Sequence, residues 1–235
     1  MAQKSSISRL IGSLVLGLVA SAWSTPVWAI TRVVLIGDST VATYRNSSTQ
    51  GWGYALPQFF NSSQVRIINR ALGGRSSETY YREGHWHRAL ADKPHYVFIQ
   101  FGHNDSHQGD PKYTDPNREY KSYLRDYIDE SRKHGAIPIL VTPPVRLKWT
   151  GTKIRHTLTA YVRSMKQVGA EMKVPVLDLD ARSARRYESL GEAKALRLFV
   201  SNDTTHTNRD GARELAKLLA DEIDRKVPGL ARHLK

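Results

Sequence analysis

Five short apolar runs rich in Val, Ile and Leu, separated by longer and more polar segments, constrain the fold of this chain most strongly. Apolar runs of this length that end at Gly, Pro or Asn are typical of buried β-strands. Because helical segments separate them, the strands are predicted to be parallel, with helices covering both faces of the sheet. The predicted strands are 32–36, 65–69, 95–101, 137–141 and 174–179.

The connecting segments show the spacing of amphipathic helices, most clearly over 117–134 and 210–225. From residue 30 onward there is no Gly/Ser-rich linker, repeat or low-complexity stretch, so 30–235 is predicted to be one domain. The expected fold class is α/β, a three-layer α/β/α sandwich of flavodoxin-like type with a five-stranded parallel sheet. The other predicted helices are 52–60, 77–90, 156–172 and 181–190.

The first 29 residues have the pattern of a secretory signal peptide. Lys4 and Arg9 precede an apolar run over 10–20, and Val27 and Ala29 occupy the positions that favour cleavage. This run is shorter than the roughly 20 apolar residues that a membrane-spanning helix needs. We therefore expect cleavage after Ala29, with an uncleaved anchor as the alternative, and no stable membrane span in the mature chain.

The absence of cysteine and the positions of N-glycosylation motifs indicate the cellular compartment in which the protein works. The chain has no cysteine, which removes disulfides, thiolate metal sites and a Cys nucleophile. Sequons occur at Asn46, Asn61, Asn104 and Asn202, and two of them overlap the candidate site described below. Glycosylation in a eukaryotic secretory pathway would block that site, so the sequence favours a bacterial periplasmic or extracellular protein.

Residues with candidate roles in catalysis follow the predicted strands or precede the last helix, at Ser39, Gly74, Asn104, Asp203 and His206. The carboxyl ends of parallel strands share one edge of the sheet, which is where ligands bind in such folds, so these residues are expected to converge.

Together these residues supply what acyl transfer needs. A serine hydroxyl such as that of Ser39 requires a neighbouring base, and the imidazole of His206 can accept its proton. Asp203, three residues before His206, can orient the imidazole and stabilise its charged form. The N–H groups of Ser39 and Gly74 and the amide of Asn104 are candidate donors to the developing oxyanion, with Gly73 an open alternative to Gly74.

This set resembles the SGNH, or GDSL-like, hydrolases, over about residues 30–219. The resemblance implies that Ser39 is the nucleophile, His206 the base and Asp203 its orienting acid, with no cofactor. It also implies an oxyanion hole formed by Ser39, Gly74 and Asn104. The motifs that carry the resemblance, in chain order, are Gly-Asp-Ser at 37–39, the Gly74 turn, Gly-His-Asn-Asp at 102–105 and Asp-x-x-His at 203–206.

Several of these segments resemble one branch of the family, the rhamnogalacturonan acetylesterases. That resemblance implies removal of acetyl esters from galacturonate residues in the branched part of pectin. The segments are Gly-Asp-Ser-Thr at 37–40, Gly-Trp-Gly at 51–53, Gly-Arg-Ser at 74–76, Phe-Gly-His-Asn-Asp at 101–105 and Thr-His-Thr at 205–207.

The chain is basic, which is consistent with an anionic polysaccharide as partner. Its formal net charge is +13, and removal of residues 1–29 leaves +11. The candidate substrate-binding residues are Arg75 and Arg146 for carboxylates, Tyr44 for sugar rings and His103 beside Asn104. Lys148, Trp149 and Trp86 are further candidates. Nucleic acid is not expected as a partner, because no recognised motif is present, and a monomer is favoured.

Three alternatives remain at this point. Taken alone, a serine at the position of Ser39 is typical of a helix cap. A metal hydrolase would take its ligands from His85, His87, His103, Asp105 and His107, although residues two apart share a face only on a strand. A non-catalytic polysaccharide-binding protein would keep the fold without turnover. Among esterases, the other substrates are acetylated xylan, a small acyl ester or a lipid, because substrate choice depends on the loops.

Overall fold

The computed structural model describes residues 30–235, and the predicted signal peptide lies outside them. The strands of the main sheet are β1 (Thr31–Gly37), β2 (Val65–Asn69), β3 (Tyr96–Gln100), β4 (Ile137–Val141) and β7 (Val176–Leu177), and β5 (Trp149–Thr150) and β6 (Lys153–Ile154) form a separate hairpin. All five strands of the main sheet are parallel, in the order β2-β1-β3-β4-β7, which confirms the predicted three-layer α/β class.

Helices cover both faces of this sheet. They are α1 (Trp52–Ala55), α2 (Ser77–Arg82), α3 (His85–Leu90), α4 (Glu119–Lys133), α5 (Thr159–Glu171), α6 (Leu179–Leu190), α7 (Glu192–Leu196), α8 (Arg209–Lys226) and α9 (Pro228–Ala231), and a 3₁₀ turn over Leu56–Phe59 follows α1.

Alternation along β1 shows how the sheet joins two cores. Val33 and Leu35 belong to the core that includes the apolar faces of α1, α6 and α8. Val34 and Ile36 belong to the opposite core, with residues of α2 to α5. Successive strand residues point to opposite faces, so a strand buried on both sides is apolar throughout. This explains why the predicted strands appear as continuous apolar runs.

Local structure differs from the sequence prediction in several places. The predicted helix over 77–90 is two helices, because Gly84 between them has a left-handed φ of 75°. The segment 52–60 is only one α-helical turn followed by a 3₁₀ turn that begins with Leu56 and Pro57. Strand β7 is two residues long, against the six predicted. The hairpin β5–β6 and the helices α7 and α9 were not predicted.

The described part of the chain, residues 30–235, contains no helix that is long and apolar enough to cross a membrane.

Candidate active site

Ser39 lies in the turn directly after β1, on the carboxyl edge of the sheet. The turn is closed by the Asp38 main-chain carbonyl, which accepts hydrogen bonds from the N–H groups of Val41 and Ala42, both at 3.1 Å. The Asp38 carboxylate also accepts from the N–H and the hydroxyl of Thr40, at 2.9 and 2.7 Å. Ser39, within this turn, is a largely buried residue that is 9% exposed.

His206 and Asp203 reach Ser39 from the loop before α8. The His206 Nε2 atom lies 2.9 Å from Ser39 Oγ, and Nδ1 lies 2.7 Å from Asp203 Oδ2. Because an ionised carboxylate only accepts hydrogen bonds, Nδ1 carries the proton and Nε2 is free to accept from the Ser39 hydroxyl. The structure thus brings the three predicted residues into one hydrogen-bonded series.

The loop 203–206 is shaped by the same aspartate. Asp203 Oδ1 accepts from the main-chain N–H groups of Thr205 and His206, at 2.7 and 2.9 Å. Burial alone would raise the pKa of Asp203, but the hydrogen bonds from His206 and Thr205 outweigh it and hold that pKa below its ordinary value. Asp203 is therefore ionised at neutral pH, as an orienting group for imidazole must be.

Asn104 lies beside the turn that contains Gly73 and Gly74. Its Nδ2 donates to the main-chain carbonyl of Arg75 at 3.0 Å, which leaves one amide N–H for another acceptor. A Cβ added at Gly73 would lie 3.7 Å from Ser39 Cβ, so this turn is close to the nucleophile candidate. Gly74 has a left-handed φ of 77°. The alternative between Gly73 and Gly74 as donor stays open.

The predicted role of Asn104 can be tested by truncation. We expect Asn104→Ala to lower kcat by about 10²- to 10³-fold, the effect of removing one oxyanion donor. The effect on KM should be small, because the donor acts mainly on the charge that develops in the transition state. Steady-state kinetics on p-nitrophenyl acetate measures both quantities. Asn117→Ala, at an exposed position, is the matched control, and an unchanged kcat in Asn104→Ala would contradict the role.

Asp38 lies behind Ser39 in a fully buried polar network. Gln100 Nε2 donates to Thr40 Oγ1 at 2.7 Å and to Asp38 Oδ1 at 3.3 Å, and Trp52 Nε1 donates to Gln100 Oε1 at 2.7 Å. The other carboxylate oxygen of Asp38 has no partner among the described residues. Burial, with a smaller contribution from the charge of Asp105, raises the pKa of Asp38 to about 6, against opposing hydrogen bonds from Thr40.

This raised pKa predicts how stability depends on pH. The unfolded chain releases the Asp38 proton near its ordinary pKa of 3.8, whereas the folded protein retains it to about 6. The folded state therefore binds more protons in between, and ionising Asp38 costs stability as pH rises through this window. The free energy of unfolding of Asp38→Asn, measured relative to that of wild type, should therefore increase by about 2 kcal/mol as the pH rises from about 4 to about 7.5.

Urea unfolding of Asp38→Asn and wild type at the two pH values measures that difference. The exposed Asp129→Asn variant removes the same charge from α4, and its difference from wild type should stay constant. A difference for Asp38→Asn that is also constant with pH would contradict the account.

The four candidate substrate-binding residues lie in different environments. Tyr44 is partly buried, with its hydroxyl beside Ser39 and close to Gly73. Arg75 forms an ion pair with Glu83 at 2.9 Å. Arg146 is partly buried and donates to the main-chain carbonyl of His103 at 3.2 Å.

His103 does not reach the surface of the site. It is 3% exposed, and neither ring nitrogen has a hydrogen-bond partner among residues 30–235. The carbonyl of Pro144 approaches the ring but does not meet hydrogen-bond geometry. Burial, followed by the positive charges of Arg146 and His206, holds the pKa of His103 well below its ordinary value. His103 is therefore a buried residue next to Asn104, and its predicted contact with substrate stays a prediction.

The alternative ligand and stacking residues are placed differently from the sequence prediction. His85 and His87 lie on helix α3 rather than in a loop, so they point to different sides of the helix. Trp86 between them is fully buried and donates to Glu130 at 2.7 Å, which rules it out as a sugar platform. Asp105 is buried and accepts from Ser77, Thr114 and Gly102. Within 30–235, no group of three or more His, Asp or Glu side chains is arranged to hold a metal ion.

The sequence analysis did not identify two glutamines that support the site. Gln100 connects Trp52 to the turn of Ser39, as described above. Gln50 accepts from the N–H of Tyr44 at 3.0 Å, donates to its carbonyl, and forms a main-chain bond with Thr207, the residue after His206. A signal for this region was the Gly-Trp-Gly segment: a Cβ at Gly53 would lie 2.5 Å from the carbonyl oxygen of Val41, so the backbones pack too closely for a side chain.

The fold and these contacts define a class of protein. A parallel α/β sheet with Ser, His and Asp in hydrogen-bonded series at its carboxyl edge is the arrangement of serine hydrolases. The family model described as GDSL-like Lipase/Acylhydrolase matches residues 33–219. The chain belongs to this family, as its motifs predict, and is a carboxylic ester hydrolase.

Two named relatives come from Bacillus subtilis (strain 168). "Probable rhamnogalacturonan acetylesterase YesY" is 39% identical over 203 residues, covering 82% of this chain and 92% of the relative. "Rhamnogalacturonan acetylesterase RhgT" is 35% identical over 222 residues, covering 86% and 94%. The crystal structure of B. subtilis YxiM superimposes with a TM-score of 0.77 at 29% identity, over 87% of this chain and 58% of that one.

Proposed function

We propose that this protein is a serine acetylesterase that removes acetyl groups from rhamnogalacturonan through an acyl-enzyme intermediate. The observation that carries the esterase mechanism is the series Ser39–His206–Asp203, with contacts of 2.9 and 2.7 Å. The substrate rests on the two relatives whose names state this activity, and on the basic character of the chain.

In the first half-reaction, Ser39 Oγ attacks the acetyl carbonyl while His206 Nε2 accepts its proton. The Asp203 carboxylate stabilises the imidazolium that forms. The oxyanion of the tetrahedral intermediate accepts hydrogen bonds from the Asn104 amide and from N–H groups of Ser39 and the Gly73–Gly74 turn. His206 then protonates the sugar oxygen as it leaves, and the acetyl group remains on Ser39.

In the second half-reaction, water attacks the acetyl-Ser39 carbonyl and His206 accepts a proton from it. The second tetrahedral intermediate collapses, acetate leaves and His206 returns the proton to Ser39 Oγ. The same donors stabilise both intermediates, so one oxyanion hole serves the whole cycle. No step calls for a cofactor.

Acetate release from acetylated rhamnogalacturonan, acetylated xylan and p-nitrophenyl acetate tests the substrate. We expect a higher kcat/KM on the pectic polymer than on xylan for the wild type. Turnover of xylan or of the small ester alone would retain an esterase and reject the pectic substrate. A protein that binds the pectic polymer but releases no acetate from any of the three would be a binding module instead.

We also propose that the protein is exported to the bacterial periplasm or medium after cleavage at Ala29. The n-region, the apolar run and the small residues of 1–29 support this. N-terminal sequencing of the protein recovered from an expressing bacterium should begin at Ile30. A protein that retains residues 1–29 and stays with the cytoplasmic fraction would overturn it.

A further inference from the structure

Arg146 is a partly buried cation beside the candidate active site, and none of the 22 acidic side chains pairs with it. Among the described residues no carboxylate oxygen lies within ion-pair distance of its guanidinium, and residues 1–29 contain no Asp or Glu. Arg75, the other arginine predicted to meet a carboxylate, is already paired with Glu83. Burial lowers the pKa of Arg146, so its charge is held at a cost in this position.

The hydrogen bonds of Arg146 fix its place without neutralising its charge. Nη1 donates to Thr157 Oγ1 at 3.1 Å, and Nη2 donates to the His103 carbonyl and to Ser106 Oγ, at 3.2 and 3.4 Å. All three acceptors are neutral. A guanidinium has five N–H donors, so two remain for an acceptor that is absent from this structure.

Two contacts locate Arg146 relative to the reacting groups. Its guanidinium is bonded to the carbonyl of His103, the residue before Asn104. The N–H of the next residue, Leu147, donates to the carbonyl of Thr204, inside the Asp203–His206 loop. Arg146 therefore lies between the two segments that bring Asn104 and His206 to Ser39.

Further positive charge flanks the hairpin β5–β6, which follows Arg146 in the chain. Lys148 and Arg155 are exposed, lie opposite each other across the hairpin β5–β6, and form no ion pair in the described part of the chain. Lys153 at the turn is paired with Glu188. An anionic polymer that reached Arg146 would therefore meet a positive surface beside it.

We propose that Arg146 binds the carboxylate of a uronate residue in the substrate and thereby selects acetylated uronate polymers over neutral acetylated glycans. This inference rests on the proposed esterase function and names the specificity residue of its site. Either of the two remaining N–H groups, on Nε and Nη1, can donate a charge-assisted hydrogen bond to a carboxylate oxygen, and the partly dehydrated position strengthens that bond.

The first experiment compares acetylated rhamnogalacturonan with the same polymer after its carboxyl groups have been reduced to alcohols. Wild type should lose about tenfold or more in kcat/KM on reduction, as expected for a lost charge-assisted contact. Arg146→Gln should lose less than about threefold on the same change. Because each enzyme is compared with itself, a general fall in the activity of Arg146→Gln does not affect the result.

Arg225→Gln is the matched control for net charge. Arg225 is exposed at the end of α8, where the neighbouring Lys226 donates to Val176 at the start of β7, so it lies at the opposite edge of the sheet. It should behave as wild type. An equal loss for wild type and Arg146→Gln would show that Arg146 only holds the 103–106 loop, and would overturn the proposal.

A second experiment separates this inference from the proposed function. Unacetylated oligogalacturonate should inhibit p-nitrophenyl acetate hydrolysis by wild type, with an inhibition constant about tenfold or more higher in Arg146→Gln and intermediate in Arg146→Lys. Its methyl ester should inhibit weakly in all three. Inhibition through Arg146 without turnover of the pectic polymer would reject the substrate and keep the carboxylate site. Turnover of the polymer, with equal inhibition constants in wild type and Arg146→Gln, would keep the pectic substrate and reject the carboxylate site at Arg146.

Discussion

Ser39→Ala is expected to lower kcat by about 10⁴-fold or more on every ester that the wild type hydrolyses. The Ser39 hydroxyl is the group bonded to His206 Nε2, and alanine leaves no atom to form the acyl-enzyme. The fold should persist, because the side chain of Ser39 has no other hydrogen bond in the described structure. Kinetics on p-nitrophenyl acetate and thermal unfolding measure the two effects.

Ser122→Ala is the matched control for this change. Ser122 is exposed on α4, and removing its hydroxyl should leave both kcat and the unfolding temperature close to wild type. A Ser39→Ala enzyme that retains more than about a tenth of the wild-type kcat would mean that Ser39 caps a turn and does not act as nucleophile.

Asp203→Asn has the second largest expected effect, a loss of about 10⁴-fold in kcat. The side-chain oxygen of the substituted asparagine can still accept from the N–H groups of Thr205 and His206, so the loop keeps its shape. Its amide nitrogen would face His206 Nδ1 as a donor, which drives the imidazole proton to Nε2. A protonated Nε2 in neutral imidazole cannot accept the proton of Ser39.

The effect of Asp203→Asn should therefore appear in kcat and leave the unfolding temperature nearly unchanged. Asp224 is exposed near the end of α8, so Asp224→Asn removes the same charge and should leave kcat unchanged. NMR of the imidazole nitrogens should show the proton on Nδ1 in wild type and on Nε2 in Asp203→Asn. Full activity with the altered tautomer would contradict the role of Asp203.

Most of the sheet was predictable because β1, β3 and β4 are largely buried on both faces, whereas the edge strand β2 is partly exposed and contains Arg66. Strands buried on both faces must be apolar throughout, and four of the five were located to within a residue or two at each end. β7 was overestimated because residues 174 and 175, although apolar, precede the ladder, which pairs only Val176 and Leu177 with β4. Apolar composition alone does not distinguish a paired residue from a buried one outside the ladder.

The residues of the candidate site were identifiable for a different reason. Ser39 and Asn104 follow strands, and Asp203 and His206 precede a long helix, so parallel topology alone predicts that they share one edge of the sheet. Their distances, and the roles of Gln50 and Gln100, depend on contacts between segments far apart in the chain. No local pattern encodes such contacts.

Charge and aromatic character predicted the substrate-binding residues less well than the motifs predicted the catalytic ones. Arg75 and Arg146 both follow predicted strands, yet one is paired with Glu83 and the other has no acidic partner in the part of the chain described. Trp86 and His103 have the chemistry of binding residues but are buried. Pairing and burial are set by tertiary packing, so they separate binding candidates only once the fold is known.

Labelling by an organophosphate tests the central claim, that Ser39 is the nucleophile activated by His206. Diethyl p-nitrophenyl phosphate forms a stable adduct with a serine that an adjacent base activates. We expect one adduct per chain, on the peptide containing Ser39, with loss of activity in proportion, and much slower labelling in Asp203→Asn. Full activity in the labelled protein, or an adduct on another residue accompanied by inactivation, would contradict the account.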